Sequence, residues 1–208
     1  MSDYLTDEEQ LAKLKGWWES NGMALIGAVV VAVAGVVGWR WYSDSTAEQI
    51  ARASDLYADF LVAEGAEQQS ILDTMARELP DSTYLSFAIL AEAHDRVIAE
   101  DYPAAEAALR RALATNPERV VADLIRVRLG RVLQQLDRSD EALEVLGAVR
   151  SAGFRPQVAE LKGDIHLARG EKRLAHEAYK AALADLPDGS QKPLLELKAA
   201  DTAEADDA

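Results

Sequence analysis

Residues 93–117 read AHDRVIAEDYPAAEAALRRALATNP, and the spacing inside this stretch decides the fold. Ala93 sits in a helix predicted to run from about Ser82 to Ala99. The polar turn Glu100-Asp101-Tyr102 ends it. Ala104, Ala105, Ala108, Leu109, Ala112 and Leu113 then recur at helical spacing until Asn116-Pro117 stops the pattern. Two helices joined by so short a turn make a hairpin. Small residues on the facing sides let the backbones nest while larger neighbours fill the gaps.

The same unit recurs downstream. One copy has Leu129-Gly130 in its first helix, a turn at Asp137-Arg138-Ser139, then Ala142, Leu143, Leu146 and Val149. Another has Gly163, a turn at Gly170-Glu171, then Ala175, Tyr179, Ala182, Leu183 and Pro187. Ala105, Ala142 and Ala175 are equivalent and stand 37 and 33 residues apart. A period near 34 with two helices per unit predicts a helical solenoid. Upstream, Ser45 and Glu48 have capping-box spacing, and Ile50, Ala53, Leu56, Tyr57, Phe60 and Leu61 form one apolar face to about Ala63. Gly65 breaks that helix, and Ile71, Leu72, Met75 and Leu79 belong to a second one ending at Pro80. No strand-like alternation of any length follows Asp44, so the fold class is all-α.

These hairpins resemble the tetratricopeptide repeat. Its small-residue, large-residue and terminal-proline pattern is met by Ala93, Ala105, Leu109, Ala112 and Pro117, and by Gly163, Ala175, Tyr179, Ala182 and Pro187. The middle repeat has Val149 where alanine is expected and no closing proline. The hairpin over residues 45–80 carries Gln68 at the alanine position and reads as degenerate. Three repeats are thus expected over residues 81–187, a capping helix over 188–200 and an acidic, disordered tail over 201–208.

Before the repeats lies GMALIGAVVVAVAGVVGW, Gly22 to Trp39, with no charged residue. As a helix it reaches about 27 Å, close to the roughly 30 Å hydrocarbon core of a bilayer. Trp17 and Trp18 precede it, while Trp39, Trp41 and Tyr42 follow it, giving both edges amphipathic rings. Residues 22–42 are therefore expected to be an uncleaved transmembrane anchor, and residues 1–21 a short tail with an interfacial helix capped by Thr6 and Glu9. Ala24, Ala28 and Ala32, with Gly38 further on, offer small-residue spacing for another membrane helix to pack against. Lys13 and Lys15 on one side against Arg40 and Arg52 on the other leave the orientation a near tie.

The chain has 22 lysines and arginines against 36 acids, a net −14, and the part from Ser45 onward holds 19 and 30 of these, or −11. Such a domain repels phosphates, so nucleic acid is excluded as a partner. With no cysteine there is no thiol chemistry and no disulfide. His94, His166 and His176 form no metal-binding spacing, and no phosphate-cradling or nucleophile-elbow motif is present. No cofactor, no metal and no enzymatic activity are expected.

By resemblance to tetratricopeptide domains, the first helix of each repeat lines a concave surface. That implies a groove of Phe87, Leu90, His94 and Val97, then Leu124, Val127, Arg131 and Gln134, then Gln157, Glu160, Asp164 and Leu167. Co-chaperone members of that fold hold a peptide carboxyl terminus with lysine and asparagine. The matching positions here are Leu90, His94, Val127 and Arg131, so that clamp is absent. A mixed apolar and polar groove suits an extended segment or an amphipathic helix.

As a whole the chain resembles the YfgM-type ancillary subunit of the bacterial Sec translocon. The resemblance rests on Asn21-Gly22 with Ala24-Leu25 entering the span, Gly38-Trp39-Arg40-Trp41-Tyr42 leaving it, and Gly163-Asp164 with Gly170 in the last repeat. It implies a single-pass inner-membrane protein with a cytoplasmic N-terminus and a periplasmic repeat domain. Its implied partners are the SecYEG channel, a PpiD-type periplasmic chaperone and exported polypeptides. A membrane-recruitment adaptor with a cytoplasmic repeat domain is the alternative, and an envelope enzyme a remoter one.

Overall fold

The computed structural model describes residues 7–187 and 189–203. Among these the regular structure is helical, without a strand: α1 (Asp7–Val62), α2 (Gly65–Glu78), α3 (Thr83–Ile98), α4 (Tyr102–Ala114), α5 (Arg119–Gln135), α6 (Ser139–Gly147), α7 (Arg155–Ala168), α8 (Lys172–Ala184) and α9 (Pro193–Ala203). Packing divides the chain into two units at Arg52 and Ala53.

In the first unit α1 carries the apolar run, and among the described residues it is the one helix long and apolar enough to cross a membrane. The side chains of that run face outward almost without exception. Polar groups near its start are satisfied within the helix: Ser20 Oγ donates to the Gly16 carbonyl at 2.9 Å and Asn21 Nδ2 to the Trp17 carbonyl at 3.0 Å. That matters where no water is at hand. The Trp18 ring lies back over Gly22, where a Cβ would meet Cε2 at 3.1 Å.

One expectation is corrected here. Ser45 and Glu48 do not start a helix, because α1 runs unbroken from Asp7 to Val62. Neither glycine nor proline occurs between Trp39 and Val62 to stop it. Thr46 beside the supposed cap instead donates to the Tyr42 carbonyl at 2.9 Å, the usual accommodation of a hydroxyl inside a helix. Thr6, the expected cap of the tail helix, lies outside the described residues.

The second unit is the solenoid. Its helices pack in sequence from α2 to α9, and α3, α5 and α7 also pack side by side. A continuous core runs through Phe60, Met75, Ile89, Leu109, Leu133 and Ile165, and a second cluster joins Ala175, Tyr179 and Ala182 of α8 to Leu195 and Ala199 of α9. Phe60, Leu72 and Met75 place the first hairpin in the main core, and Tyr57 meets Tyr84 of α3 at 5.7 Å between ring centroids. Gln68, at the position where a repeat has alanine, donates to the Phe60 carbonyl at 3.4 Å near the end of α1. Asp201, Thr202 and Ala203 continue α9, with Thr202 buried, which corrects the disorder expected of them. Thr202 Oγ1 donates to the Lys198 carbonyl at 2.8 Å, holding this last turn in register. Residues 204–208 lie outside the described residues.

Each repeat turns the same way. At the ends of α3, α5 and α7, residues Glu100, Asp137 and Gly170 have φ of 57°, 59° and 76°. In each case the next residue's N–H reaches back to the Arg96, Leu133 or His166 carbonyl at 2.9 Å. This closure demands left-handed backbone, which glycine adopts without cost and other residues adopt at about 1 kcal/mol. Glu100→Gly and Asp137→Gly are therefore each expected to stabilise the repeat domain by up to about 1 kcal/mol, read by urea unfolding.

The third repeat departs from its neighbours. Gly147 ends α6 early, and residues 148–151 form an irregular return to α7. Asp123 of α5, fully buried, holds that return. It accepts hydrogen bonds from the Ser151 N–H at 2.8 Å, Ser151 Oγ at 2.7 Å, the Arg150 N–H at 3.1 Å and the Arg126 guanidinium at 2.8 Å. Burial pushes its carboxyl up, but these donors together outweigh burial and hold it below the usual carboxylate range.

Candidate polypeptide-binding groove

The exposed faces of α3, α5 and α7 border a groove of about 570 Å³. Its floor is apolar, from Leu90, Ala93, Leu109, Val132 and Leu161, and its rim carries His94, Arg128, Arg131, Gln134 and Asp164. Val97 and Tyr102 also line it. The geometry follows from helical register. Leu90, Ala93, His94 and Val97 fall on one stripe of α3, and Arg128, Arg131 and Gln135 on one stripe of α5.

Of the residues expected to line a groove, Leu90, His94, Val97, Arg131, Gln134 and Asp164 come together here. Leu90 is buried and serves as floor. Val127 is buried in the core and corrects the expectation that it faces a ligand, because its position on α5 points between helices. Phe87 packs in an aromatic group, tilted against Tyr57 and edge-on to Tyr84, with centroids 6.3 and 6.4 Å away. Leu124 packs against the main core. Gln157, Glu160 and Leu167 lie on α7 outside this lining. Sequence reasoning missed Arg128 and Gln135 on the rim, Tyr102 beside them, and the floor residues Ala93, Leu109, Val132 and Leu161. For Arg128 a signal existed, since it precedes Arg131 by three residues on the same helix.

Glu160 is committed elsewhere. Lys192 reaches it at 3.2 Å and Lys198 of α9 at 3.3 Å, while Lys198 also bridges to Asp164 at 2.7 Å. Burial pushes the Glu160 carboxyl up, yet the two ammonium groups more than offset it and hold it below the ordinary range. For Lys198 burial works against charge, and the paired carboxylates of Asp164 and Glu160 win and raise it. Tyr179, buried beneath, donates its hydroxyl to Asp164 at 2.8 Å, and Lys198 lies 5.7 Å from its ring centroid. Burial, with the Asp164 carboxylate second, drives that hydroxyl far above an ordinary tyrosine.

Among the described residues no group of three histidines or acids converges as a metal site. The small-residue positions on α1, Ala24, Ala28, Ala32 and Gly38, lie within an arc of about 120° on the helix and are all exposed.

Residues 15–204 match the tetratricopeptide repeat-like domain family. An ancillary SecYEG translocon subunit of Haemophilus influenzae is 32% identical over 185 residues, covering 88% of this chain and 91% of that protein. A protein of the same description from Aggregatibacter actinomycetemcomitans is 29% identical over 185 residues, again 88% and 91%. Among solved structures, a thermophilic TPR protein of Thermus thermophilus aligns with a TM-score of 0.46 and 19% identity over 67% of this chain and 73% of that one.

Proposed function

Because the chain belongs to the tetratricopeptide repeat-like family of ancillary SecYEG translocon subunits, we propose that it is a scaffold, without catalysis, that works beside a Sec channel. The N-terminal helix anchors it in the bacterial inner membrane in a single pass. The repeat domain lies on the periplasmic side and holds polypeptide segments, either of exported chains or of a PpiD-type chaperone. One observation carries this reading: an apolar, outward-facing helix and a groove with an apolar floor and a polar rim occur on one chain. Anchoring supplies effective concentration, so a weakly binding groove serves where a free one would not.

The small-residue stripe Ala24, Ala28, Ala32 and Gly38 is the face we assign to lateral packing against the channel. Replacing residues 22–42 with an unrelated single-pass helix is expected to reduce channel recovery in a detergent pull-down to background. A periplasm-active reporter at the C-terminus is expected to stay active on both the original and the exchanged protein. Undiminished recovery would remove the span from docking, and a silent reporter would reverse the orientation.

A further inference from the structure

The arginines of the repeat domain are mostly matched. Arg110 and Arg138 share Glu106 and Glu141, Arg111 pairs with Glu92, Arg126 with Asp123 and Arg169 with Asp140. Arg96 and Arg119 have no ion pair among the described residues, and on the groove rim Arg128 and Arg131 likewise stand outside the matching. Both are exposed on the groove rim, one helical turn apart, and neither has a hydrogen-bond or ion-pair partner among the described residues. Acids are plentiful in this chain, yet the acid on the same rim, Asp164, is already neutralised by Lys198. The groove thus presents positive charge inside a molecule of net −14.

We infer that the groove selects extended segments in which an internal aspartate or glutamate is flanked by apolar side chains, with Arg128 and Arg131 receiving the carboxylate. The inference rests on the groove being the polypeptide site proposed above, and it adds the chemistry of what that site accepts. Guanidinium groups are planar forks suited to a carboxylate, and two set one turn apart converge on one acid. The apolar surface lies on both sides of the arginines: Leu90, Val97 and Tyr102 toward α3 and α4, Leu161 toward α7. A chain running through the groove therefore places apolar side chains before and after the acid. A terminal carboxylate would use one side alone. Polyanions are disfavoured, because two cations within a strongly acidic domain do not offset its repulsion of a phosphate chain.

The test uses the full chain in nanodiscs and short fluorescein-labelled peptides of serine and glycine with a central Leu-Glu-Leu or Leu-Gln-Leu, both amidated at the C-terminus. A third peptide carries the neutral centre with a free terminal carboxylate. Fluorescence anisotropy is expected to show the glutamate peptide binding about tenfold more tightly than the glutamine one, a preference that shrinks as salt is raised. The double variant R128Q/R131Q is expected to abolish the preference, so that the two amidated peptides bind alike, while leaving helical content unchanged. Equal binding of the two amidated peptides would overturn acid selection and leave the groove reading standing. A preference that survives R128Q/R131Q would overturn the assignment to these arginines. Tight binding of the free-carboxylate peptide alone would replace internal recognition by end recognition. Saturable binding by none of the three would overturn the groove reading itself.

Discussion

Replacing Tyr179 by alanine is expected to destabilise the last repeat by about 4 kcal/mol, in the range for loss of a buried aromatic side chain. Tyr179 is fully buried, its ring meets the bare backbone of Gly163, and its hydroxyl anchors Asp164. Gly163 has no room for a side chain: a Cβ there would lie 2.5 Å from Tyr179 Cδ1, and the ring cannot bend away as a flexible chain would. Gly163→Ala is therefore expected to cost about 1 to 3 kcal/mol despite the roughly 1 kcal/mol by which alanine outranks glycine in a helix. The pair provides a sharper test than either alone. Once Tyr179→Ala has cleared the space, Gly163→Ala should turn stabilising, by about the propensity difference. Because a solenoid couples each repeat only to its neighbours, hydrogen exchange should accelerate first over residues 155–203. A Gly163→Ala effect of the same sign and size in both backgrounds would refute the contact.

The second large effect belongs to Asp123. Asp123→Ala leaves the Arg150 and Ser151 N–H groups and the Ser151 hydroxyl without their buried acceptor, and is expected to cost about 3 kcal/mol. Asp123→Asn keeps one acceptor oxygen but turns an amide toward donors, and should cost about 2 kcal/mol at neutral pH. The pH dependence has a definite sign. The folded carboxyl is held below its unfolded value of about 3.9, so its stabilisation is complete above that value and is lost as pH falls through the lower folded one. Wild type and Asp123→Asn should accordingly differ by a constant amount near neutrality and converge in strong acid. A gap that persists to pH 2 would mean that Asp123 acts through shape and not charge.

These two sites also show what a sequence can reveal. Gly163 and Tyr179 stand out from spacing alone, because a missing side chain and a large one sixteen residues on record the same contact from both sides. The hairpin turns were legible for a similar reason, since local backbone geometry demands local residues. Asp123 was not. Three residues before Arg126 it reads as an ordinary surface pair, and its decisive partners are backbone groups 27 and 28 residues later. Glu160 and Asp164 were expected to be open to a ligand, but lysines 32 and 34 residues downstream claim them. The resemblance to tetratricopeptide domains implied the groove for Val127 and Arg131 alike, although neighbouring helices bury the first and leave the second exposed. Ser45 with Glu48 misled for the opposite reason, because a capping signal means nothing where the preceding turn is already wound.

Stacked hairpins have no intrinsic end: whatever surface one repeat offers its successor, the last repeat offers to the surroundings. Here α9 occupies that surface, seating Leu195 and Ala199 on Tyr179 and Ala182 while Lys198 grips the acids of α7. It works as a lid on the last repeat, keeping from water an apolar face of α8 that would otherwise be left bare.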